Sequence, residues 1–141
     1  MNEASVSTTF MQKLRQRLPQ AVVFKHADAG LKGLPDCSVT YKGLTLWLEF
    51  KLLDSVSEAE DMVSAIKKRL EKAPVQLRCV QALNRAGYAL YIVWIRASKI
   101  VVFYNPVTES IVGSAGNNDG ACQWVESYLE SANPPQVIRL L

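Results

Sequence analysis

A chain of 141 residues with 49% hydrophobic and 21% charged side chains has enough apolar material for one packed domain, which excludes an intrinsically disordered chain. Its apolar runs stay at strand length, so no transmembrane span is expected, and the polar N-terminus lacks a signal-peptide pattern. A formal charge of +3 permits a polyanionic partner without requiring one, and three widely spaced cysteines (Cys37, Cys79, Cys122) fit core thiols in a reducing cytoplasm better than a disulfide framework or a zinc site.

In chain order, residues 1–6 read as a frayed end. Ser7 or Thr8 then caps a helix with Phe10, Leu14 and Leu18 on one stripe, stopped by Pro19. Residues 21–26 read as a strand, and residues 27–33 as a loop with two glycines. Residues 33–51 read as a β-hairpin, two alternating apolar runs about a Lys42-Gly43 turn. In that register Cys37, Val39, Tyr41, Leu44, Leu46, Leu48 and Phe50 share a core face. Asp36, Ser38, Thr40, Thr45, Trp47, Glu49 and Lys51 share the other. Asp36 stands opposite Glu49, with Cβ atoms about 5 Å apart. Two facing carboxylates repel, and a divalent cation between them would reverse the sign.

Further on, residues 57–60 form a capping-box pattern before a helix striped by Met62, Ile66 and Leu70. Pro74 opens a second helix that closes at Gly87. Residues 88–95 are apolar throughout, the pattern of a central strand buried on both faces, reached by a parallel crossover from the hairpin. A strand at 100–104, a short strand at 109–112, a flexible loop at 113–120, a helix at about 121–130 and an apolar tail complete the chain. No linker divides it, so one domain is expected, with a core over about 7–104 and an extension over 105–141.

The order helix, strand, hairpin, helix, strand resembles the PD-(D/E)xK nuclease superfamily, in particular its VRR-NUC and Holliday-junction-resolvase-like branch. The residues that carry the resemblance are Gly33, Pro35-Asp36, Glu49-Phe50-Lys51, and Gln76 opening a helix that ends in Ala86-Gly87; it covers about residues 7–95. It implies an α/β fold with a restriction-endonuclease-like αβββαβ core, a mixed central sheet flanked by helices, and a C-terminal strand and helix extension. It also implies a Mg²⁺-dependent endonuclease hydrolysing phosphodiester bonds in DNA. Branched DNA, a junction or flap in repair, recombination or phage replication, is the leading substrate, and nonspecific cutting or RNA are the other expectations.

Each role has a separate physical case. Asp36 and Glu49 are hard oxygen ligands suited to Mg²⁺, with Mn²⁺ as substitute, and the Phe50 carbonyl could add a third oxygen. Lys51 would orient the attacking water or hold the scissile phosphate. The resemblance places Gln76 beside them as a hydrogen-bonding support. Some members of the branch carry a further acid on the first helix. Here Ser7 stands at that place, and Glu3 is the one acid before Asp28 that could serve as the extra ligand. Lys25, His26 and Lys32 flank the entrance and are candidate phosphate contacts, and Lys67, Lys68 and Arg69 are candidates for a second patch. Symmetric cutting of a junction would need a homodimer. No membrane and no organic cofactor are expected, and the setting would be the cytoplasm of a bacterial or phage-infected cell. The alternative is an inactive nuclease-fold protein that binds nucleic acid or acts as an adaptor.

Overall fold

The computed structural model describes residues 2–26 and 33–132. The expected loop at 27–32, with Lys32 and Asp28, and the apolar tail at 133–141 lie outside the described residues. The elements are α1 (Glu3–Arg17), β1 (Val22–Lys25), β2 (Cys37–Tyr41), β3 (Leu44–Leu53), α2 (Met62–Glu71), α3 (Pro74–Ala86), β4 (Tyr88–Ile95), β5 (Ile100–Asn105), β6 (Ser110–Ala115) and α4 (Asn118–Ala132). The strands form one mixed six-stranded sheet in chain order, β1 to β6. Only β3 and β4 run parallel, because α2 and α3 carry the chain back between them; every other neighbour pair is antiparallel. The protein is thus α/β, with helices on both faces of an open sheet. No described helix is long and apolar enough to cross a membrane.

Side-chain alternation sorts two cores. Cys37, Val39, Leu46, Leu48, Phe50, Leu90, Ile92, Trp94 and Phe103 meet Phe10 and Leu14 of α1 and Val125 and Leu129 of α4. Phe10 is fully buried, with its ring edge-on to Phe50 and Trp94 at 6.1 and 6.0 Å. On the opposite face Ala89, Tyr91, Val93, Ile95, Val102 and Tyr104 meet Ile66 and Leu70 of α2 and Val80 of α3. β4 serves both clusters, as its unbroken apolar run requires.

The hairpin adopts the expected register, Cys37 opposite Leu48 through Tyr41 opposite Leu44. Its turn places both Lys42 (φ 52°) and Gly43 (φ 82°) in the left-handed region, which a two-residue primed turn demands. The strand at 88–95 and the helix from Pro74 to Ala86 also match the sequence reading. Gly87 closes that helix in an extended rather than left-handed conformation, with its amide bonded to the Leu83 carbonyl at 2.9 Å.

Three expectations are corrected. α1 begins at Glu3, not after Ser7, because Asn2 and Ser5 form a reciprocal cap: the Ser5 amide donates to the Asn2 side chain at 2.8 Å. The Ser7 hydroxyl instead donates back to the Ala4 carbonyl inside the helix. α2 is capped by Asp61, whose carboxylate accepts from the Ser64 amide at 2.8 Å, while residues 57–60 form a turn before it. The supposed loop at 113–120 is the end of β6 and the start of α4. Gly113 belongs there for packing: a Cβ would fall inside the indole of Trp124, which stacks on Phe103 with centroids 4.1 Å apart. Gly113→Ala is expected to lower unfolding free energy by about 1–3 kcal/mol, read as a lower urea midpoint, by forcing Trp124 off the strand.

Candidate active site

The site lies where the β2–β3 ladder stops. Backbone pairing ends at Cys37 and Leu48, and the next two side chains take over its hydrogen bonds. The Asp36 amide donates to Glu49 Oε1 at 3.1 Å, and the Phe50 amide donates to Asp36 Oδ2 at 2.8 Å. Each carboxyl therefore grips the other strand's backbone, and the two are held side by side where the hairpin strands part. Gly33 sets the approach to this point. Its φ of +89° and its packing under α3, where a Cβ would sit 3.1 Å from the Val75 carbonyl and 3.2 Å from Cys79, admit only a glycine without displacement.

Burial and charge then decide the protonation state. Glu49 is 1% exposed. Burial is the main reason its carboxyl is pushed up to about 9, and the neighbouring Asp36 charge adds to the shift. Lys51, two residues on and on the same face, counters this with Nζ 3.7 Å from Glu49 Oε2. Without a cation the pair holds a proton; a hard divalent ion would take that proton's place. Asp36, Glu49 and Lys51 are together as expected. The Phe50 side chain lies on the other face in the α1/α4 core, leaving only its backbone at the site.

Glu3 joins them, which corrects the reading of a frayed end. The earlier helix start puts it one turn before Ser7 on the same stripe, half-buried. Burial raises its carboxyl above the ordinary value and Asp36 adds to that, while Lys51, Arg69 and the Leu52 amide pull it back. These interactions place a third carboxyl by the pair, although no set of three such groups among the described residues is close enough to hold an ion as it stands.

Among the described residues two buried side-chain polar atoms have no hydrogen-bond partner, Gln76 Oε1 and the Tyr91 hydroxyl. Gln76 lies in the first turn of α3, one turn before Cys79, which feels the Glu49 charge. Tyr91 is register partner to Glu49 on β4 and fully buried. Its phenol is held well above its ordinary value by burial and then by Glu49. Sequence reading missed Tyr91 because its hydroxyl is hidden in a run that reads as pure core; a tyrosine at the centre of a doubly buried strand was the available signal. An unpaired buried hydroxyl costs stability, so Tyr91→Phe should raise the urea midpoint of the cation-free protein, by about 1 kcal/mol in unfolding free energy.

The basic residues divide. His26 follows β1, and its amide donates to the Asp36 carbonyl at 2.8 Å. Its ring is on the site face, with Nε2 2.8 Å from Ser38 Oγ. Lys25 pairs with Cys37 and so points to the α1/α4 side, since strand side chains alternate. Lys67, Lys68 and Arg69 do not form one patch, because consecutive helix residues leave in different directions. Lys67 pairs with Glu109 at 3.1 Å, Lys68 with Glu60 at 2.9 Å, and Arg69 acts on Glu3. Searches of protein-family models and of curated proteins found no match to this chain.

Proposed function

We propose that the protein is a Mg²⁺-dependent endonuclease that hydrolyses phosphodiester bonds in DNA, structure-selective or nonspecific in its choice of site. The observation that carries this reading is the Asp36–Glu49 pair: two carboxyls, one fully buried, held side by side with the Lys51 ammonium 3.7 Å from Glu49. A net acidic cluster of this kind is unfavourable except as a receiver of protons or cations. The donors fit Mg²⁺: Asp36 and Glu49 would hold it, with Glu3 beside them, and it would supply Lewis-acid charge stabilisation at the phosphate. The orphaned Gln76 Oε1 supports a polar occupant, as a ready acceptor for a water. Lys51 neutralises charge developing on the phosphate or orients the attacking water. The element order from α1 to β4, with antiparallel β1–β2–β3 and parallel β3–β4, supports a PD-(D/E)xK-like core.

One observation favours the second reading, an inactive nucleic-acid-binding or adaptor protein: with Glu49 protonated, the pair satisfies its own hydrogen bonds and needs no ion. Calorimetry with Mn²⁺ separates the two. Binding that Glu49→Ala abolishes supports the nuclease, and its absence supports the adaptor. The direct test is a Mg²⁺ cleavage panel of flaps, four-way junctions, single strands, duplex and RNA. Failure to cut any of them at stoichiometric enzyme would end the nuclease reading.

A further inference from the structure

The face that carries Asp36 and Glu49 is unevenly covered. α2 and α3 pack over its β3–β5 side, and their cluster includes no described residue of β1 or β2. On the β1 side, among the described residues, three rings neighbour one another. Phe24, on edge strand β1, is 60% exposed and belongs to neither core. His26 lies next to it with centroids 6.5 Å apart, and Trp47 lies 5.3 Å beyond His26 at an interplanar angle of 33°. The His26 ring is pinned by Ser38, itself buried, so it is presented in one orientation.

Phe24 has no task in either core, whereas His26 and Trp47 are half-buried and Trp47 lies against the edge of the α2/α3 cluster, which holds its ring in place. Trp47 is two residues before Glu49 on the same strand and face, roughly 7 Å along the sheet, a span one extended nucleotide covers. Every base offers a π-face, so a row of rings binds unpaired bases without reading their identity. The chain's formal charge of +3 is compatible with a polyanionic strand on this surface. We infer that Phe24, His26 and Trp47 form a stacking subsite for an unpaired nucleobase adjoining the phosphate at Asp36 and Glu49. The substrate class is then nucleic acid with a single-stranded segment, such as a flap or splayed arm, rather than continuous duplex. The assignment of the neighbouring phosphate rests on the nuclease reading; the base-binding surface itself does not need cleavage.

The test measures anisotropy of a labelled oligothymidylate and of a duplex of equal length, in chelator so that nothing is cut. Wild type should prefer the single strand. Phe24→Ala and Trp47→Leu should each weaken single-strand binding about tenfold, with duplex binding unchanged. Phe24 is exposed enough that its removal leaves the fold intact, so the inference stays falsifiable should Trp47→Leu misfold. No loss with Phe24→Ala, or equal loss on duplex, overturns it. A wild-type dimer that Phe24→Ala dissociates in sedimentation, without loss of single-strand affinity, also overturns it and assigns the strip to a second copy of the chain. Plasmid nicking with Mg²⁺ by the same proteins judges the nuclease reading separately. Intact nicking with unchanged binding sinks only the subsite, and stacking without nicking sinks only the nuclease.

Discussion

Lys51→Met should lower Mg²⁺-dependent cleavage about 10²- to 10³-fold while leaving the protein folded and its single-strand affinity nearly unchanged. Methionine keeps most of the side-chain length and removes the charge. The expected size follows from geometry. Lys51 is 8% exposed, its ammonium lies 3.7 Å from Glu49, and both occupy one face of the strand end. A cation fixed in a water-poor site stabilises charge developing on a phosphate without reorganising, and loss of one such group costs about 2.7–4 kcal/mol of barrier. Asp36→Asn should be at least as damaging, because it removes a ligand charge while its amide side chain can keep the oxygen that accepts from Phe50. Plasmid nicking at saturating Mg²⁺, with thermal melting as the control for folding, measures both. Wild-type rates in both variants would remove the pair and the lysine from the chemistry.

The second large effect is on stability. In the cation-free protein, folded Glu49 keeps its proton to about 9, whereas the unfolded chain releases it near the ordinary 4.5. Between these values the folded state binds the extra proton. The Glu49 contribution is therefore complete below the unfolded value and is lost as pH rises through the folded one, by up to about 1.4 kcal/mol per pH unit. Urea midpoints in chelator should fall from about pH 5 to about pH 9, by a few kcal/mol in total, and Glu49→Gln should flatten that slope. Mg²⁺ should reverse it, since an ion replaces the proton, so stabilisation by Mg²⁺ should grow with pH. A midpoint that is constant across this range, with and without chelator, would show that Glu49 ionises freely and that the pair is not a cation receiver.

Much of this site was legible because its signals are local. The hairpin register follows from period-two alternation about Lys42-Gly43, and a one-residue slip would have turned Val39 and Leu46 to the wrong face. The eight apolar residues from Tyr88 to Ile95 required burial on both sides of a sheet, and they receive it. Pro74 and Gly87 bracket α3 because proline's fixed φ suits the first helical turn and glycine's freedom lets the chain leave the last one.

What tertiary structure decided depends on partners distant in sequence. Glu3 reaches the site because an Asn2 cap extends α1 and because α1 packs on β3 in a way that sets the Glu3 carboxyl among Asp36, Lys51 and Arg69. Local propensity favoured Ser7 as the cap, and only the fold buries that hydroxyl inside the helix. The Tyr91 hydroxyl gains meaning from standing beside Glu49, which the parallel β3–β4 register sets. Lys25 and His26 are adjacent in sequence yet face opposite sides of the sheet, and the β1–β2 pairing determines which. Gly113 read as flexibility until Trp124 was laid against it. The sequence by itself determined the strands, the hairpin and the residues of the acidic pair, since alternation and turn chemistry act over a few residues. Packing across the sheet determined protonation, the third carboxyl and the meeting of Phe24, His26 and Trp47, since desolvation, charge and ring contacts depend on neighbours that only the folded chain brings together.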